Sequence, residues 1–92
     1  MAQIQKVVAA DFGVSVDALK SKSRAQKVTF PRQVAIYLAR ELTGLPLVEI
    51  GKRFGGRDHT TVLHAYGKIA GAARQDSSLQ ERLERMKRML LF

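Results

Sequence analysis

The densest run of hydrogen-bonding side chains in this sequence is Gly55-Gly56-Arg57-Asp58-His59-Thr60-Thr61. Two glycines interrupt whatever precedes them, and Asp58 has the residue type that accepts bonds from the free N–H groups opening a helix. Asp58, His59, Thr60 and Thr61 then crowd the first turn of that helix, with His64 and Lys68 farther along. Short polar side chains at a helix mouth suit insertion into the major groove of duplex DNA, because bulky ones would hold the backbone away from the base edges. A carboxylate accepts from cytosine N4, and an imidazole donates to purine N7, guanine O6 or thymine O4. Threonine offers its methyl to thymine or its hydroxyl to a phosphate. Arg57, Thr61, His64 and Lys68 follow one another at helical spacing, so they line one ridge able to track a phosphate strand.

Each residue also has a duller reading. Gly55-Gly56 is a common way to end a helix, Asp58 with Thr61 a common way to start one, and His64 an ordinary surface or core-edge histidine. Those readings explain the residues one at a time but not the whole heptapeptide at a single helix mouth. Catalysis is a weaker reading still. His59 and His64 point about 140° apart on a helix, unlike the i,i+4 pair of a zinc helix, and the chain has no Cys. With no Ser-His or paired-carboxylate arrangement, neither catalytic nor metal-ligating residues are expected.

The elements that must position this run read as helices, since apolar residues recur at intervals of three and four rather than two. Ile4, Val7, Val8 and Phe12 form one stripe, giving helix one over 3–12, stopped by Gly13. Ser15 caps a short helix two over 16–21. Residues 22–30 show neither period and read as a basic loop, ending at Pro31, a favoured first residue of a helix. Helix three over 31–43 turns Val34, Ala35, Leu38, Ala39 and Leu42 inward and leaves Arg32, Gln33 and Arg40 for solvent or a ligand; Gly44 ends it. Leu47, Ile50 and Phe54 mark a short helix four. Helix five covers about 58–74 with Val62, Leu63, Tyr66, Ile69, Ala70 and Ala73 buried. Ser77 and Gln80 resemble a capping box opening helix six, whose inward face is Leu79, Leu83, Met86 and Leu90. The expectation is one all-α domain over 1–92 with about six helices and a helix-turn-helix at about 47–74.

The charge distribution fits that site. The formal net charge is +8 over 92 residues, and residues 20–57 alone hold nine Lys and Arg against Glu41 and Glu49. Residues 58–92 are more evenly mixed, with Glu81-Arg85 and Glu84-Arg88 spaced as i,i+4 pairs. A basic middle interleaved with Ser, Thr and Gly points to a polyanion. RNA is disfavoured, because the aromatic residues fall mostly on inward stripes rather than on an exposed stacking platform. Helix one and Met86 to Phe92 are amphipathic and flanked by basic residues, but helix packing explains both, so any binding to acidic phospholipids is expected to be weak. No apolar run approaches the roughly 20 residues of a membrane helix, and no signal peptide is evident. With no Cys, the expected location is cytoplasmic, at the nucleoid.

The signature Gly55-Gly56-Arg57-Asp58-His59-Thr60-Thr61-Val62, with His64-Ala65 and Lys68-Ile69, resembles the C-terminal DNA-binding domain (domain IV) of the bacterial chromosomal replication initiators, the DnaA family. Pro31-Arg32-Gln33 with Ala35, Tyr37-Leu38 and Arg40-Glu41-Leu42-Thr43 matches the preceding block, and the resemblance spans about residues 3–91. It implies a Trp-repressor-like helical fold and a helix-turn-helix that reads a replication-origin duplex element of about nine base pairs. By the same resemblance Asp58, His59 and Thr60 read bases in the major groove and Arg24 enters the neighbouring minor groove. Arg32, Gln33, Arg40, Thr61, His64 and Lys68 contact the DNA backbone. Relatives often carry Pro where this chain has Val48, and the resemblance gives Val48 that residue's contact with a thymine methyl. The family's ATP is bound by a separate ATPase domain. This chain has no G-x-x-x-x-G-K-[ST] phosphate loop, so no cofactor is expected here. The expected partners are double-stranded DNA and, for an excised domain, that ATPase domain; the DNA-reading unit is expected to be monomeric. A stand-alone or transposase-associated relative that does not act at the origin is the alternative.

Overall fold

The computed structural model describes residues 1–91, and Phe92, the end of the predicted amphipathic segment, lies outside them. Six helices follow one another: α1 (Ala2–Phe12), α2 (Val16–Lys20), α3 (Gln26–Thr43), α4 (Leu47–Arg53), α5 (His59–Gln75) and α6 (Ser77–Leu91). Among the described residues there is no strand. Gly13 and Gly44 end α1 and α3 in the left-handed conformation that glycine adopts without a Cβ clash. The Ser15 hydroxyl accepts the Ala18 N–H at 3.0 Å and opens α2 as its sequence predicts.

α3 is the spine. Val34, Ala35, Ile36, Leu38 and Ala39 are all buried, an almost continuous run that suits a helix covered on several sides. α5 lies along it, α1 and α2 pack on its other flanks, and α6 closes the bundle against α1 and α5. The core draws on every helix: Ile4 and Val8, Leu19, the α3 run, Ile50 with the following Phe54, Val62 and Ile69, then Leu83 and Met86. Full burial of each large side chain contributes about 1.5–3 kcal/mol. Two polar clusters tie the periphery. Arg82 donates to Asp11 at 2.5 Å and lies over the Phe12 ring, which meets Phe30 edge-on. Tyr37 stacks on Tyr66 with ring centroids 5.2 Å apart. The Tyr66 hydroxyl donates to Glu41 at 2.7 Å, which raises its pKa, and Lys87 pairs with the same carboxylate.

Four sequence expectations about the elements need correction. The basic loop is not 22–30 but 21–25, because α3 begins at Gln26 and Pro31 sits in its second turn. The apolar stripe of α3 extends backwards at helical spacing through Pro31 to Val28, and both are buried. Pro31 lies past the first turn and so forfeits its bond to the Lys27 carbonyl, a cost that its own burial and that of Val28 offset. Leu63 was expected inside but is 55 % exposed. The buried stripe of α5 is Val62, Ala65, Ile69 and Ala73, and Leu63 projects about 100° from Val62. Finally, α6 is opened by Asp76 rather than by Ser77: the Asp76 carboxylate accepts the Ser78 and Leu79 N–H groups at 3.0 and 3.2 Å. Nor do the spaced pairs in α6 form as predicted; among the described residues Glu84 pairs with Lys87 at 3.7 Å.

A bond from the Ser78 hydroxyl, together with those from the Leu79 and Ser78 N–H groups, holds the Asp76 carboxylate below its usual pKa. A depressed carboxylate pKa contributes stability that is present above the unfolded value and lost as pH falls through the folded one. Asp76→Ala is therefore expected to lower the thermal midpoint at neutral pH. The gap between the two proteins should close as pH drops below about 4, as followed by circular dichroism.

Candidate nucleic-acid interface

The turn between α4 and α5 is assembled around one carbonyl. The N–H groups of Phe54, Gly56 and Arg57 all donate to the Gly51 oxygen, at 3.1, 3.1 and 3.0 Å. Gly55 and Gly56 take φ values of 86° and 80°, a region that residues with a Cβ rarely occupy. A Cβ on Gly51 would stand well inside 3.0 Å of the Arg57 carbonyl oxygen, and one on Gly55 equally close to that of Lys20. Phe54, fully buried, anchors the turn from below. Gln5 of α1 is buried and donates to the Arg53 carbonyl at 2.8 Å, satisfying the end of α4. Neither Gly51 nor Gln5 stands out in the sequence. The only signal for Gly51 was a glycine inside a helical stripe, which often marks a close backbone approach.

Asp58 caps α5: its Oδ1 accepts the Thr61 N–H at 2.8 Å, and this bond chiefly holds its carboxyl below the ordinary value. The dull reading of Asp58 is therefore correct, yet a carboxylate has a second oxygen with lone pairs to spare. Asp58, His59, Thr60 and Thr61 are all exposed, while the next residue, Val62, is fully buried. Leu63 joins that exposed face one turn beyond His59, a residue that sequence reading had placed in the core. Val48, in the first turn of α4, is 53 % exposed.

Beside the α5 mouth run two adjoining grooves. One is lined by the 21–25 loop with Arg24, the turn, Asp58 and Thr61. The other lies between α3 and α5 and is lined by Thr29, Gln33, Thr61, His64 and Lys68. Arg32 and Arg57 form part of both walls. The Thr29 hydroxyl and the Gln33 side-chain oxygen are buried there with no hydrogen-bond partner among the described residues. Most of the predicted backbone-contacting set is thus gathered on one surface. Arg40 is apart from it: exposed at the end of α3, it donates to the Leu45 carbonyl at 2.6 Å.

Two arginines are not disposed as expected. Arg32, expected on the face of helix three left for solvent or a ligand, is 6 % exposed. Its Nε donates to the Leu19 carbonyl and its Nη2 to that of Ser21, each at 2.9 Å. Arg57, read as part of an outward ridge with Thr61, His64 and Lys68, turns inward to the carbonyls of Phe54 and Ser21. Burial lowers the pKa of both, and for Arg32 the neighbouring Arg57 charge lowers it further. The physical reason is the α2 C-terminus, whose carbonyls have no helical partners and draw in the nearest cations.

A short helix, a glycine turn and a longer helix with an exposed polar mouth make a helix-turn-helix, and its basic flank suits a nucleic-acid backbone. Comparison with known families agrees: the family model described as the bacterial DnaA protein helix-turn-helix matches residues 1–69, which includes every element from α1 to most of α5. The chain belongs to this bacterial DnaA helix-turn-helix family, a DNA-binding module of replication initiation.

Proposed function

We propose that this domain reads a replication-origin element of the DnaA-box type, with the first turn of α5 in the major groove and Arg24 in the adjacent minor groove. The observation that carries the reading is the exposure of Asp58, His59, Thr60 and Thr61 directly above a buried Val62, flanked by the basic grooves. His59 and Thr60 present donors and a methyl to base edges, and Asp58 its remaining oxygen to a cytosine amino group. Val48 and Leu63 supply apolar contacts to thymine methyls. Thr61, His64, Lys68, Gln33 and Arg40 bind the phosphate strands; Arg32 contributes only through Nη1, the nitrogen not bonded to α2. The N-terminus of α5 adds its own favourable field for a phosphate.

Selection from a randomised duplex pool tests this directly. The expected result is enrichment of one asymmetric motif of about nine base pairs, the length that the resemblance to the DnaA family implies, contacted by one recognition helix and its minor-groove arm. Enrichment of hairpin ends, or of no motif, would count against it.

A further inference from the structure

The guanidinium groups of Arg32 and Arg57 share one acceptor. Arg57 Nη2 donates to the Ser21 carbonyl at 2.6 Å, and Arg32 Nη2 donates to the same oxygen at 2.9 Å. Arg32 also takes the Leu19 carbonyl and, at 3.4 Å, that of Ala18. Gly55 is pressed against the carbonyl of Lys20, with no space for a Cβ. Four successive carbonyls, from Ala18 to Ser21, are therefore covered by α3 or by the α4–α5 turn.

Two cations held this close without a carboxylate at ion-pair distance, among the described residues, are costly, and a device serving only to cap a five-residue helix would not need both. What the pair fixes is the start of the 21–25 loop. The far end of the loop is Ala25, the N-cap of α3, whose carbonyl accepts the Val28 and Thr29 N–H groups at 2.9 and 2.8 Å. Between these ends the loop's own hydrogen bonds, among the described residues, are serine turns, Ser23 N–H to the Ser21 hydroxyl and Ala25 N–H to the Ser23 hydroxyl, each at 3.2 Å. Arg24 lies three residues past the shared carbonyl and is exposed.

We propose that Arg32 and Arg57 form a clamp that sets the position of Arg24 relative to the mouth of α5, so that the minor-groove and major-groove readers engage DNA as one unit. Arg57 is then a positioning residue rather than a phosphate contact. The inference rests on the DNA-reading role of Arg24 and His59 given above.

A double-mutant cycle tests it, read as dissociation constants for the selected duplex at fixed salt. In the unaltered chain Arg24→Ala is expected to cost about tenfold, and His59→Ala a similar factor. In an Arg57→Gln background the cost of Arg24→Ala should fall below about threefold, while that of His59→Ala is unchanged. Should Arg57→Gln lose cooperative unfolding, the same cycle is read in Arg57→Lys, which keeps the charge but cannot span two carbonyls. Under the clamp, lysine does not restore the coupling; a phosphate contact would be largely rescued by it. Equal Arg24→Ala costs in both backgrounds overturn the clamp, as does a parallel shrinkage of the Arg24 and His59 effects, which signals general loss of structure. If neither Arg24→Ala nor His59→Ala alters binding of the unaltered chain to any duplex, the reading beneath the clamp has failed as well.

Discussion

Gly51→Ala is expected to lower the unfolding free energy by about 3 kcal/mol, the upper end of overpacking costs, and to weaken binding to every duplex. The Cβ would meet the Arg57 carbonyl, which is backbone and cannot rotate away, with the Val62 side chain 3.3 Å from it on another side. Relief requires moving the turn off α4, and that breaks the convergence of three N–H groups on the Gly51 oxygen. Because the turn carries Asp58 into place, the mouth of α5 moves with it. Gly71 makes the contrast. It lies inside α5, and a Cβ there would meet nothing within 4 Å. Gly71→Ala should therefore stabilise by about 0.5–1 kcal/mol through helix propensity alone. Chemical denaturation of both variants checks the two signs.

Removing His59 and Thr60 together is expected to weaken binding to the selected duplex by about 30-fold or more, each side chain accounting for about 1–3 kcal/mol of discrimination. Stability should not fall. Both residues are exposed, and alanine has the higher helix propensity. Lys68→Ala is the control: it should weaken all duplexes alike and flatten the dependence of log Kd on log salt by about one unit, the signature of one lost phosphate contact. Unfolding midpoints and fluorescence anisotropy at several salt concentrations distinguish these effects.

What could be read from the sequence was local. Gly13 and Gly44 as helix ends, Ser15 and Asp58 as helix starts, and the Gly55-Gly56 break each depend on chemistry within a few residues, and the helices they delimit follow. The first turn of α5 was legible for the same reason, since its exposure needs only the neighbouring stripe of Val62, Ala65 and Ile69. What escaped was set by distant partners. Arg32 is charged and sits on what looks like an outer helix face, but the carbonyls that bury it belong to α2. Leu63 is apolar by type, yet no neighbouring helix covers its side of α5. The early start of α3 was hidden because Pro31 is a strong local signal for a helix start, whereas the burial of Val28 that overrides it is tertiary. Gly51 and Gln5 matter only through the turn and the α4 end that they meet.

Sequence-specific reading by α5 requires that His59 face the base edges. Its most direct test is the dissociation constant of His59→Ala for the selected duplex and for a scrambled duplex of equal composition, at one salt concentration. The expected result is a loss of about 5- to 150-fold on the first and less than about twofold on the second. Equal losses on both duplexes, or none on either, would contradict it.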